Sequence, residues 1–447
     1  LLDKASILLT PTAYDNGRML SIKPSKDLYG PELVTNGDFA TDSDWTKGTG
    51  WSIGEDKAIC IGDSGHTILS QSNSYLLGKT YKVTFDIVVD SGNFRAQFAG
   101  AGTNSGNIIS STQVGYTEYI TLTANRNAFG IRSNDGNGIG SITNISVKED
   151  LSGDFTFSRN GDATRVNSSG NIVTEGANLP RINYENGCGS WLLEQQSTNY
   201  STNSEQPSTW HSSVGVTITA NATTSPQGIQ NSSLVVNNAS SGGRYARNIF
   251  NFPSGSGLQT VTVSYFIKYY NNQWVTLKSV FFNGSPAANQ YTWFDIQNGV
   301  VGTVGANHTA KIEDYGNGWY RCSITFDIDK SVDSNGYVHI EAIDGDNSNT
   351  YAANGKGFYA YGSQGEEQSY ATSYIPTSGA SSTRLKDLAT DSGNASLINS
   401  TEGVLYAEIA AFANYNLQRW ISFTDGTNSN TIKIGFLNSA TNYKIAA

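Results

Sequence analysis

Lys79-Thr80-Tyr81-Lys82-Val83-Thr84-Phe85-Asp86-Ile87 is the stretch from which the fold class follows. Tyr81, Val83, Phe85 and Ile87 fall at every second position, with Lys, Thr or Asp between them. A repeat of two puts alternate side chains on opposite faces of an extended chain, so the segment reads as a strand with one buried face. Outward along the chain the same character returns at 260–268, 274–282, 291–296, 319–328 and 336–343, each bounded by the turn formers Gly, Asn or Asp. Residues 407–413 are the one helix candidate, and their neighbours favour strand. The expected fold is therefore all-β and multidomain, with jelly-roll or β-sandwich modules on a small β-rich N-terminal region.

The bulk properties set limits on function. At 447 residues the chain can hold about three domains of roughly 150 residues, so several cores are expected. Charged residues make up only 15%, and no apolar run approaches the ~20 residues that cross a bilayer. A formal net charge of -10 argues against wrapping nucleic acid or docking on an anionic membrane, because both need a basic face. Cys60, Cys188 and Cys322 are odd in number and widely spaced, which suits neither a disulfide framework nor a zinc site; all three are expected as buried or half-buried thiols.

Composition divides the chain into six segments. Residues 1–30 alternate short apolar stretches with turn residues and cannot bury a core alone, so they are expected to pack on 154–193 or on a neighbouring subunit. Residues 31–149 form a first module, with Asn36-Gly37-Asp38-Phe39, Asp44-Trp45, Gly50-Trp51 and Ile142-Thr143-Asn144-Ile145-Ser146-Val147 as landmarks. Residues 150–202 hold an idiosyncratic run, and 203–377 form a second β-rich module. Residues 378–401, rich in Ser, Thr, Gly and Asn, read as a linker. A third module begins at 402 and breaks off at Ala447 in mid-strand, so a continuation or a partner strand is expected to complete it.

Three pieces carry a resemblance. The run Phe155-Thr156-Phe157-Ser158-Arg159, Asp162-Ala163-Thr164-Arg165-Val166-Asn167 and Asn178-Leu179-Pro180-Arg181-Ile182-Asn183-Tyr184, with Leu2-Asp3-Lys4-Ala5-Ser6 and Thr10-Pro11-Thr12-Ala13-Tyr14 at the start, resembles bacteriophage fibre and spike proteins, particularly the head-fibre type of crAss-like and related phages. The pieces are nearly contiguous in that family, so 31–149 reads as an insertion, similar to a jelly-roll carbohydrate-binding module. Asn317-Gly318-Trp319-Tyr320-Arg321 and Ala371-Thr372-Ser373-Tyr374-Ile375-Pro376-Thr377 resemble the concanavalin-type, lectin-like modules of the same fibres. The resemblance implies a virion protein, a head (capsid) fibre subunit and homotrimer, which attaches to capsid or tail proteins and adheres to surface glycans. A tail fibre and a tailspike depolymerase are the alternatives. It also implies a virion anchor built on Asp3, Lys4, Tyr14, Phe157, Arg159, Arg165, Pro180 and Arg181. No signal peptide opens the chain, as expected for a particle assembled inside a cell.

The chemistry-bearing residues do not assemble into an enzyme's set. His66, His211, His308 and His339 are far apart, and none has a ligand partner at metal spacing. Asp344-Gly345-Asp346-Asn347-Ser348-Asn349 lacks the glycine and closing glutamate of a calcium loop and reads as a turn. Modules resembling the first one hold a structural calcium near the Asn-Gly-Asp-Phe segment; Asp38 is the one candidate, and Asn144 stands where an aspartate is common. Carboxylate pairs such as Asp42 with Asp44, or Glu366 with Glu367, lie in turn-rich segments where solvated charge explains them. Aromatic rings are more telling, because sugars stack their apolar faces on them. Trp45 and Trp51 in the first module, and Trp210, Tyr245 and Trp274 in the second, are the expected carbohydrate-binding residues, set against the alternative that they fill cores as Trp319 is expected to do. No catalytic residue and no cofactor are expected.

Overall fold

A computed structural model describes residues 7–21, 29–62, 65, 67–100, 102–134, 136–205, 207–284, 288–333, 335–392, 403–410, 419–424, 431–436 and 445–446. The described residues form strands and one short 3-10 turn, Pro207–Thr209, so the chain is all-β. It divides into two compact units, one centred on residues 19–156 and the other on 157–389.

In the first unit a five-stranded sheet and a six-stranded sheet carry one core. The strand Thr80–Ser91 lies inside the six-stranded sheet between Gln113–Thr121 and Ile139–Asp150. Its Tyr81, Val83, Phe85 and Ile87 are buried and Thr80, Lys82, Thr84 and Asp86 half-buried, which is the alternation the sequence carries. Phe94, Phe98, Phe129 and Ile131 enter the core from the facing sheet. Asn36-Gly37 makes the tight approach to the strand Ile139–Asp150: a Cβ on Gly37 would lie 2.0 Å from the Ile145 carbonyl oxygen. Each of these large apolar side chains contributes roughly 1.5–3 kcal/mol by burial.

The second unit holds a sandwich of two six-stranded antiparallel sheets. One runs in the order Ser212–Val214, Tyr245–Asn251, Asn335–Ile343, Trp274–Val280, Tyr291–Asp295, Val300–Val301. The other runs Val216–Thr223, Ser232–Asn237, Gly357–Glu366, Leu258–Tyr269, Trp319–Asp329, Thr309–Asp314. Phe250, Val263, Tyr265, Leu277, Phe294, Ile324 and Ile340 fill the space between the sheets. Trp319 is buried in a separate cluster with Ile172, Phe266, Tyr361 and Tyr374.

Residues 157–202, which belong to this unit, are tied into it by ions. Arg159 pairs with Asp387 at 3.1 Å and donates to the carbonyls of Gly161, Glu175 and Gly176. Arg181 pairs with the same Asp387 and with Glu194 at 2.9 Å, and donates to the Thr164 carbonyl and the Ser373 hydroxyl. Burial raises the Glu194 carboxyl, but Arg384, Arg181 and the Ser373 hydroxyl and amide outweigh it and hold the group down at about 2. Such a network survives burial because every charge has an opposite partner and most of its donors are hydrogen-bonded, Arg181 Nε and Arg384 Nε being left without a bond among the described residues.

This arrangement corrects two expectations. Phe157, Arg159, Pro180 and Arg181 are buried, and the two arginines are consumed by internal pairs, so none offers a surface to a virion protein. Arg165 is half-buried on Glu175, and Tyr14 makes an edge contact with Trp191 at 6.4 Å; Asp3 and Lys4 lie outside the described residues. Residues 378–401 are not a linker as far as they are described: Ser382–Arg384 pairs with Ser197–Asn199, and Arg384 and Asp387 are buried members of the ion network. The hairpin of Leu9–Asp15 and Arg18–Ser21 is bound at its turn, where Gly17 donates to the Asn178 carbonyl and accepts from the Phe157 amide.

Cys60 and Cys322 are buried, whereas Cys188 is exposed, against expectation. It follows the two-residue turn Asn186-Gly187, both at positive φ, which joins Ile182–Glu185 to Cys188–Trp191 at the end of a small hairpin. Of the C-terminal segment, Arg419–Thr424, Thr431–Phe436 and Ile445–Ala446 form a three-stranded antiparallel sheet.

Candidate functional site

The site is the outer face of the sheet that begins at Ser212–Val214. Strand alternation builds it: Ala246, Phe250, Val275, Leu277, Phe294, Val338 and Ile340 point into the core, so Tyr245, Arg247, Thr276, Lys278, Tyr291, Trp293, Tyr337, His339 and Glu341 fall on the opposite face. Register then sets them in rows. Ser212, Arg247, His339, Lys278 and Tyr291 stand opposite one another on five adjacent strands. In the next row Thr276 stands between Glu341 and Trp293. At a strand spacing near 4.8 Å, the backbones of Arg247 and Lys278 lie about 10 Å apart with His339 between them.

Rings hold the cations in place. The Arg247 guanidinium lies 4.2 Å from the Tyr337 ring centre and 5.4 Å from that of Tyr245, while its Nε donates to Ser212 Oγ at 2.7 Å. Tyr245 stacks on His339 at 4.0 Å. The Lys278 ammonium sits 4.4 Å over Tyr291, which stacks on Trp293, and the Trp293 indole donates to the Ser348 carbonyl. His211 and Phe281 approach Tyr337 from the sheet edge, at 4.9 and 5.6 Å. Phe281 is 55% exposed at a φ of +68°, a conformation that costs a bulky residue free energy and ends the strand two residues before the sequence pattern does.

Beneath this layer lies a buried polar pair, His339 Nδ1 and Glu341 Oε1, 3.3 Å apart. Burial lowers the His339 pKa, Glu341 opposes the shift, and Arg247 and Lys278 add to it, so the ring is neutral at neutral pH. Burial also disfavours the Lys278 ammonium, but the Tyr291 hydroxyl and Glu341 carry its pKa above the ordinary value. His339 Nε2 and Thr276 Oγ1 are buried without a hydrogen-bond partner among the described residues. A buried polar atom left unpaired costs free energy, which an ordered water bonded to it would offset.

Of the five expected sugar-binding rings, Tyr245 and Trp274 fall on this face, both half-buried. The other three are core residues, which corrects the expectation. Trp45 and Trp51 are each 7% exposed, packed against Phe39 and Phe94, and Trp210 is 6% exposed against Tyr265. All three flank turns in the sequence, yet each turn folds its indole inward: Trp45 Nε1, for example, donates to the Asn36 carbonyl.

Sequence reasoning missed Arg247, Lys278, Tyr291, Tyr337 and Phe281. The signal was present in Tyr337-Val338-His339-Ile340-Glu341-Ala342, where one parity is apolar and the other is aromatic or ionisable rather than merely polar. His308 is buried between Ser279 and Thr292 hydroxyls, and His66 lies outside the described residues.

For calcium, Asp38 is exposed and its carboxylate accepts only a 3.4 Å bond from the Ala40 amide, while Asn144 donates to Asp86 instead. Among the described residues no group of three or more His, Cys, Asp or Glu could hold a metal ion. The Asp38 expectation is therefore not supported by a ligand set.

No protein-family model matches the chain, and no curated protein matches it. Among solved structures the chain is similar to the N-terminal CBM22-1-CBM22-2 tandem domain of Paenibacillus barcinonensis Xyn10C, at 13% identity and a TM-score of 0.27, over 78% of this chain and all of that one. A likeness at that score decides neither the strand order of a sandwich nor its ligand.

Proposed function

We propose that this protein binds glycans, without cleaving them, through the outer face that carries Tyr245, Arg247, Lys278, Tyr291, Tyr337 and His339. The observation that supports this reading is the set of rings and hydrogen-bonding groups in adjacent rows of one sheet, held by each other rather than by the core. A pyranose offers an apolar face to a ring and hydroxyls to polar groups beside it, and each such stacking contact contributes on the order of 1 kcal/mol. A glycosidase needs two carboxylates flanking the scissile bond, whereas Glu341 is buried and engaged by His339.

The sequence resemblance adds the setting: a bacteriophage fibre subunit at the virion surface, attached to the head and presenting this face to host or mucosal glycans. In a trimer, three weak sites gain roughly 10² to 10⁴ in avidity. On this reading the attachment surface is formed by residues other than the internally paired Arg159 and Arg181. Electrophoresis through gels cast with polysaccharides tests the binding: retardation is expected for the protein and loss of retardation for Tyr245→Ala with Tyr337→Ala. Release of new reducing ends in the same mixtures would instead favour the depolymerase.

A further inference from the structure

We infer that the glycan taken by this face is an acidic one, whose carboxylate or sulfate groups pair with Arg247 and Lys278. The inference rests on the glycan-binding reading above and names its ligand class.

Three observations carry it. Neither Arg247 nor Lys278 has a salt-bridge partner among the described residues, although acidic residues outnumber basic ones in the chain, 38 to 28. Glu341, the carboxylate on the neighbouring row of the face, is buried, with its side chain only 2% exposed, and is turned to His339. The half-buried Arg247 and Lys278 therefore present two positive charges beside a buried, neutral imidazole.

The geometry of Arg247 is the second observation. Its Nε is occupied by Ser212, its guanidinium carbon lies close to the Tyr337 and Tyr245 ring centres, and neither Nη has a hydrogen bond among the described residues, so both are free to donate to a ligand. A guanidinium oriented in this way matches the paired oxygens of a carboxylate or a sulfate ester, and its side-chain entropy is already restricted before a ligand arrives.

The third is the combination of charge with rings. Tyr245 and Tyr337 flank Arg247 from neighbouring rows and Tyr291 flanks Lys278 in its own row, so an acidic group reaching either cation brings its sugar ring onto an aromatic face. A simple polyanion would use the charges and leave the rings unused. An acidic peptide lacks the flat apolar face that they offer.

Binding of the full chain to polygalacturonate, chondroitin sulfate, neutral xylan, dextran and poly-glutamate, measured by affinity electrophoresis and calorimetry, is the test. The expected result is retention by one or both acidic polysaccharides and none by the neutral ones, weakening as salt rises from about 50 to about 300 mM. Arg247→Gln and Lys278→Gln should each weaken that retention about tenfold, with unfolding temperatures unchanged. Retention by a neutral polysaccharide alone, undiminished in Arg247→Gln, overturns the acidic class and leaves glycan binding standing. Equal binding to poly-glutamate, or binding to none of the polysaccharides, overturns the glycan reading itself. Retention by an acidic polysaccharide that both variants keep overturns the assignment to this face.

Discussion

The two sandwiches place their aromatic residues differently. In the first, Phe39, Trp45, Trp51, Tyr75, Tyr81, Phe85, Phe94, Phe98 and Phe129 all enter one core. Its outer surface keeps a small pair, Tyr29 and Tyr119, joined hydroxyl to hydroxyl at 3.0 Å with Lys82 over Tyr29. In the second, Phe250 and Phe294 enter the core from one sheet while a further layer of tyrosines lies on the opposite side of that sheet. Alternation makes the buried face in both; the residues at the other parity give the second the aromatic and cationic face that we propose as a recognition surface.

The sharpest way to break this comparison is to remove core rings from each. Trp51→Ala and Trp210→Ala should each lose roughly 3–5 kcal/mol in denaturant unfolding, because each leaves a cavity among packed rings. A loss under about 1 kcal/mol would return either tryptophan to the surface.

The buried ions provide a second contrast. Asp387→Ala leaves Arg159 and Arg181 without their shared carboxylate and should cost roughly 3–5 kcal/mol. In the first sandwich Glu149→Ala removes the partly exposed partner of Lys79 and should cost about 1 kcal/mol or less. Similar losses from the two variants would mean that the network is solvated.

Acid should weaken the second unit in two steps. Burial holds His308 down at about 4, so the unfolded chain takes up its proton first; the stability this neutral ring contributes is complete above about 6.5 and declines as pH falls toward 4. Glu194, held at about 2, contributes fully above about 4.5 and loses that contribution as pH falls toward 2. Burial lowers His339 as well, so His308→Gln should reduce the first step and His308→Gln with His339→Gln should flatten it in melting curves taken across pH 4 to 7, the second step being unchanged. A slope that survives the double substitution assigns the step to another group.

The smallest effect on stability is expected on the recognition face. Tyr337→Ala should shift unfolding by about 1 kcal/mol or less, since Tyr337 is half-buried outside the core.

The sequence carried the class of the fold and the position of its central strands, because period-two alternation is local: 79–87 lies within Thr80–Ser91, save its first residue, and 336–343 within Asn335–Ile343. It did not carry the direction in which a turn sends a tryptophan, which is why Trp45, Trp51 and Trp210 were misplaced. Nor did it carry the partners of Arg159 and Arg181. Both arginines stood out as a motif, but Asp387 is 228 and 206 residues away, and only the folded chain brings it between them. Half of the recognition face was hidden for the same reason: Arg247, Lys278 and Tyr337 sit on strands that become neighbours through the sheet order and not through the sequence.

The central claim is that the second sandwich recognises glycans with the outer face of one sheet. Its most direct test is calorimetric titration of a retained polysaccharide into two folded, full-length variants, one with Tyr245→Ala, Tyr291→Ala and Tyr337→Ala, the other with Tyr29→Ala and Tyr119→Ala. The account predicts that the first loses binding and the second keeps the affinity of the unaltered protein. Full binding by the first, or loss confined to the second, would contradict it.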